Sequence, residues 1–154
     1  MSGSFIQRGG LWVLAQVVLI LVVIVSGVAW RHQWQSAWSV FVGACLLLAG
    51  GVCGLAGVAA LGRNLTAYPQ PSLRARLVQT GIYRWIRHPI YTAGLCVLPG
   101  WSLVWQSWPA LLAALAMGPL LDAKARREER WLRQRFPEYA RYQAEVKRFL
   151  PWVY

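Results

Sequence analysis

Acidic residues are scarce in this chain: five Asp and Glu stand against 16 Lys and Arg in 154 residues, and none precedes Asp122. Charge of either sign is thin, at 14% against about 25% in average soluble domains. That shortage excludes an ordinary soluble surface. Disorder is excluded by the 57% hydrophobic content, because disordered chains are poor in apolar residues. The net charge of +11 alone would admit a nucleic-acid binder, but such a protein would not carry long uncharged stretches. Histidine and cysteine are also few, two and three. Cys45, Cys53 and Cys96 lie in apolar segments, without CxxC spacing or a His partner, and read as small apolar residues, with neither a metal site nor a structural disulfide. No glycine-rich nucleotide loop, no Ser/His/Asp arrangement and no internal repeat is present. The length fits one domain, and the composition is that of a membrane protein.

The uncharged stretches divide the chain. The first runs from Gly9 to Trp30, with Gln16 and Ser26 as its clearly polar side chains. About 20 apolar residues at 1.5 Å rise cross a hydrocarbon core of roughly 30 Å. This run is longer than a signal-peptide core and lacks a clean small-x-small site, so it is expected to be an anchor. The second stretch, His32 to Gly62, supplies another span. The third, His88 to Leu121, is too long for one span and breaks near Gln106-Ser107-Trp108-Pro109, which predicts a helical hairpin. Pro99-Gly100 is a candidate kink. The expected fold class is therefore all-α: a polytopic membrane bundle of four spans, at about 10–30, 38–61, 89–106 and 108–125, with a cytoplasmic tail at 126–154.

Basic residues orient it. Arg8, the five arginines between Arg63 and Arg87, and the nine Lys and Arg from Asp122 onward fall on one face, against Arg31 alone on the other. The positive-inside rule makes the crowded face cytoplasmic, with both termini there; an inner bacterial membrane is the expected location. Trp12, Trp30, Trp34, Trp38, Trp101, Trp105 and Trp108 fall near span ends, as interfacial indoles do. Juxtamembrane basic residues meeting anionic lipid account for most of the charge without any nucleic acid. Gly43, Gly50, Gly51, Gly54 and Gly57 stud the second span. This close-packing pattern serves either the bundle or a homodimer.

The chemistry is expected at the cytoplasmic boundary. Pro89 suits the first turn of a helix, which sets Arg87 and His88 at its N-terminus, where backbone N–H groups and the dipole favour an anion. Glu128-Glu129 follows the fourth span. Adjacent helical residues diverge by about 100°, so one glutamate faces the bundle and the other an arginine such as Arg126, Arg127, Arg130 or Arg133. His88 lies about 19 residues before a turn at Ser107 and Glu128 about 21 after it, which sets both within roughly 3 Å of one depth. Such a site suits a zwitterionic ligand with a neighbouring positive centre. Beyond it, Pro137 opens a further amphipathic helix whose stripe of Tyr139, Tyr142, Val146 and Phe149 predicts a membrane-surface segment or a lid over the pocket.

The pattern Gly81-x-Tyr83-Arg84-x-x-Arg87-His88-Pro89-x-Tyr91, then an apolar hairpin, Glu128-Glu129 and an aromatic tail ending Arg148-Phe149-x-Pro151, resembles the integral-membrane methyltransferases. That group includes isoprenylcysteine carboxyl methyltransferases and phospholipid N-methyltransferases. The likeness covers Leu61 to Pro151, with Ile82 and Ala93 standing where many members have Pro and Gly. It implies S-adenosylmethionine as methyl donor, contacted by Tyr83, Arg87, His88, Tyr91, Gly94, Glu128 and Glu129. It also implies a lipophilic or lipid-modified acceptor entering from the bilayer. Arg135 or Arg87 would orient a carboxylate acceptor; Glu128 or Glu129 would deprotonate an ammonium acceptor, with Glu129 and Arg135 as catalytic candidates. The rival classes are a sterol-type membrane reductase using a reduced nicotinamide and a non-catalytic membrane scaffold.

Overall fold

The computed structural model describes residues 9–66 and 76–154. Arg8 and Arg74, both used to orient the chain, lie outside the described residues. Among those residues the structure is helical, with no β-strand: α1 spans Gly10–Ala29, α2 Ala37–Leu61, α3 Pro89–Trp105, α4 Trp108–Arg135 and α5 Tyr139–Glu145. α1 and α2 are long and apolar enough to cross a bilayer. Their outward leucines, valines and tryptophans, among them Leu14, Leu21, Leu48 and Leu55, are exposed, as lipid-facing side chains are in a bundle without its solvent.

The four long helices run up and down. At one end the α1–α2 connection is stitched to the α3–α4 turn: His32 N–H donates to Trp105 O at 2.9 Å and Gln33 N–H to Gln106 O at 2.9 Å. Ser107 caps α4 by accepting from Ala110 N–H and donates its hydroxyl to Ser26 O at 3.0 Å. The expected hairpin break is therefore a capped turn, with Gln106 in the left-handed conformation. α3 continues through Pro99 and α4 through Pro119. α4 outruns its expected span by ten residues, from 125 to 135, and so carries the Glu pair on a rigid rod beyond the apolar zone.

The glycines of α2 let α3 approach. A Cβ on Gly43 would lie 2.7 Å from Gly100 O, and one on Gly50 2.8 Å from Val97. Gly54 and Gly57 face Ala93 and Ile90 in the same way. This stripe packs inside the bundle, while Gly51 looks onto open space. α1 packs against α4, burying Val23, Met117 and Leu121 with Leu98 of α3.

After α5 the chain turns back. The expected tail helix is shorter than its stripe, because Val146 is already extended. Residues 146–149 instead lie beside the segment that opens α3. Arg87 N–H donates to Lys147 O at 2.9 Å and His88 N–H to Arg148 O at 3.1 Å. Thr92 Oγ1 donates to Phe149 O at 2.9 Å.

Candidate functional site

The residues that open α3 and those that close α4 meet at one level, as their distances from the Ser107 turn required. Glu129 is fully buried and gathers donors from three elements. It accepts from Arg87 Nε at 3.1 Å, from Gln143 Nε2 at 3.0 Å, and from Arg148 Nε and Nη2 at 3.1 and 2.9 Å. His88 Nε2 lies 3.1 Å from its Oε1, and because a carboxylate only accepts, Nε2 carries the hydrogen. Burial alone would push this carboxyl up, but the hydrogen bonds from His88 and Arg148 and the charge of Arg87 outweigh it, holding Glu129 well below the usual range. The arginines that pair with it are thus Arg87 and Arg148, from distant parts of the chain, and not the neighbours on its own helix. A carboxylate so fully committed ties the α3 entry, α4, α5 and the tail together.

Glu128 has the opposite environment. It lines a cavity of about 600 Å³ and accepts the Tyr91 hydroxyl at 2.7 Å. His88 Nδ1 lies 3.9 Å from the same carboxylate. The Tyr91 and His88 rings stack, with centroids 5.1 Å apart and planes inclined by 4°. Tyr91 and His88 are therefore rigid wall, and Glu128 is the one carboxylate among the residues that line the cavity. The remaining wall includes Tyr83, Phe136, Tyr139 and Tyr142 toward the tail, and Val13, Val17, Leu61 and Ile90 toward the apolar zone. Burial raises the phenols of Tyr83, Tyr139 and Tyr142, so they stand as neutral aromatic faces and hydroxyl donors. The Tyr142 hydroxyl donates to Tyr83 O at 2.6 Å, which fixes α5 against the turn before α3.

Five expected contact residues, Tyr83, Arg87, His88, Tyr91 and Glu128, line this cavity. Gly94 does not; it faces Leu121 across the α3–α4 seam. Arg135 is exposed, its guanidinium lying over the ring of Phe136, which lines the cavity; Arg135 is not itself among the lining residues. Sequence reasoning passed over Gln16 and Lys124, both of which line the cavity. A polar residue within an apolar span is a functional signal in itself, and Gln16 carried that signal.

A model of the phospholipid methyltransferase family matches residues 38–139, two thirds of the chain, including Tyr83, Arg87, His88, Tyr91, Glu128 and Glu129 but not Gln16, Tyr142, Gln143 or Arg148. The chain belongs to that family. Among solved structures, the phospholipid methyltransferase fold seen here is similar to the eukaryotic intramembrane Ras methyltransferase, isoprenylcysteine carboxyl methyltransferase. The TM-score is 0.71 at 21% identity, over 94% of this chain and 53% of that one, a likeness of fold. Two curated relatives are each 30% identical. The nickel-cobalt-cadmium resistance protein NccN of Alcaligenes xylosoxydans xylosoxydans matches over 96% of this chain and 67% of its own length. The cobalt-zinc-cadmium resistance protein CzcN of Cupriavidus metallidurans matches over 94% and 64%. The chain spans about two thirds of the length of these relatives and about half that of the solved transferase. Family and fold together are those of a membrane methyltransferase.

Proposed function

We propose that this protein transfers the methyl group of S-adenosylmethionine to a lipophilic acceptor at the cytoplasmic face of a bacterial inner membrane. In this reading all four long helices cross the bilayer and both termini are cytoplasmic. The observation that carries it is the asymmetry of the Glu pair: Glu129 is consumed by the fold, whereas Tyr91 presents Glu128 to a cavity of about 600 Å³. That volume lies in the range of small-molecule sites, roughly 300–1,000 Å³. The donor set fits the cofactor: a carboxylate for its ammonium and sulfonium charges, Arg76 at the rim for its carboxylate, and tyrosine faces for its base.

The bound cofactor supplies an electrophilic methyl on a sulfonium; the chain supplies position and dryness. Glu128 would hold the positive centre, Tyr91 and His88 would hold Glu128, and Tyr139 and Tyr142 would close the aqueous side. A carboxylate acceptor, as in the isoprenylcysteine carboxyl methyltransferases, is a nucleophile already and needs no base. An ammonium acceptor, as in phospholipid N-methylation, must lose a proton, and Glu128 is the lining carboxylate able to take it.

Titration of S-adenosylmethionine into the purified, detergent-solubilised protein tests the reading. Binding is expected, weakened about tenfold or more in Glu128→Gln, with labelled methyl passing to a membrane lipid extract. Binding of a reduced nicotinamide instead would favour the reductase, and binding of neither would favour the scaffold.

A further inference from the structure

Lys124 is the cavity's unexplained charge. It sits one helical turn before Glu128 on the same face of α4, and only 3% of it is exposed. Its Nζ donates to Gln16 Oε1 of α1 at 2.5 Å and lies 5.1 Å from the Tyr91 ring centroid. Among the described residues it has no ion pair. A buried ammonium is costly without an anion. Gln16 offers a carbonyl oxygen, Tyr91 offers a π face, and Glu128 follows one turn, about 6 Å of backbone rise, along the helix. An ammonium has three donors, and Gln16 takes one.

The position matters as much as the charge. Lys124 lies on the span side of Glu128, where α1 lines the cavity with Val13, Gln16 and Val17, the i, i+3, i+4 face of that helix. This is where the head of an acceptor with an apolar tail would rest. We propose that Lys124, oriented by Gln16, binds an acid group of the lipophilic acceptor, a carboxylate or a phosphate. It thereby sets specificity for anionic over neutral or cationic amphiphiles. The proposal rests on the methyltransferase reading for the word acceptor, but not for the binding itself.

Four amphiphiles with one eighteen-carbon tail test it: oleate, oleyl phosphate, oleyl alcohol and oleylamine, each tritiated, bound to the full chain in nonionic detergent. At least one acid should bind about tenfold or more tightly than the alcohol, and the tighter of the two names the acid. Lys124→Met should abolish the preference, Lys124→Arg should keep most of it, and Gln16→Leu should weaken it a few-fold. A cooperative thermal transition in the same detergent reports that Lys124→Met folds; if that variant does not fold, Gln16→Leu and Lys124→Arg decide. Equal binding of alcohol and acids, an intact preference in Lys124→Met, or tighter binding of the amine would overturn the proposal. Acid preference without cofactor binding would sink the methyltransferase reading and leave Lys124 its role. Cofactor binding without acid preference would do the reverse.

Discussion

Arg148 grips Glu129 at two points, Nε to Oε1 at 3.1 Å and Nη2 to Oε2 at 2.9 Å, and its Nη1 reaches Asp122 at 2.5 Å. The same residue offers its backbone oxygen to His88 N–H. One C-terminal arginine therefore ties the end of the chain to α4 and to the start of α3. The strap it anchors is what aims His88 and, through the ring stack, Tyr91.

Arg148→Ala should be strongly destabilising, by about 3 kcal/mol, because it strips a two-point partner from a buried carboxylate. Thermal unfolding in detergent reads this directly. A double-mutant cycle with Glu129→Ala should give a coupling well above the spread expected of independent sites. Additive losses would mean the pair is not the clasp.

Acid should loosen the same clasp. Glu129 in the folded protein titrates below its unfolded value of 4.5, so the unfolded chain takes up the proton more readily. Its stabilising contribution is complete above that unfolded value and drains away as pH falls from there toward the lower folded value. The Tm of wild type should drop between neutrality and about pH 3 more steeply than that of Glu129→Gln, which starts lower. Parallel curves for the two proteins would remove Glu129 from the acid transition.

Much of this arrangement was legible in the sequence, and the rest was hidden for physical reasons. Helix ends followed from charge-free runs, Pro89 and the Ser107 turn, since these act locally. The shared depth of His88 and Glu128 followed from helical rise alone. Which glutamate faces the cavity was not legible, because that depends on the rotation of α4, set by packing of Ala114, Met117 and Leu121 against α1 and α3. The strap was missed because its stripe of aromatic residues is compatible with a helix, whereas backbone pairing of Lys147 and Arg148 with the α3 entry is a long-range gain. Arg135 lies seven residues, two turns, beyond Glu128 and so near the same face of α4, but its side chain is exposed and lies over the Phe136 ring, which spacing alone does not reveal.

The α2–α3 seam offers a contrast between neighbours. Gly43→Ala would place a methyl 2.7 Å from Gly100 O and 2.9 Å from Val104, against backbone that cannot step aside, and should cost about 1–3 kcal/mol. Gly51→Ala meets nothing within 4 Å and should be neutral, or stabilising by up to about 1 kcal/mol through helix propensity. Thermal unfolding of the two variants side by side distinguishes them. A destabilised Gly51→Ala would indicate that this face of α2 is covered after all.

Tyr139 separates binding from stability. It is 1% exposed and lines the cavity, and its hydroxyl has no hydrogen-bond partner among the described residues. Burial, with the negative charge of Glu129 adding to it, keeps the phenol protonated, so it is a donor without an acceptor. An unsatisfied buried hydroxyl costs about 1–3 kcal/mol, a cost a native fold tolerates most readily where a ligand relieves it. Tyr139→Phe should therefore keep or raise the Tm of the ligand-free protein while weakening S-adenosylmethionine several-fold. The opposite signs are the diagnostic: a merely structural hydroxyl would lower Tm and spare affinity, and an idle one would change neither.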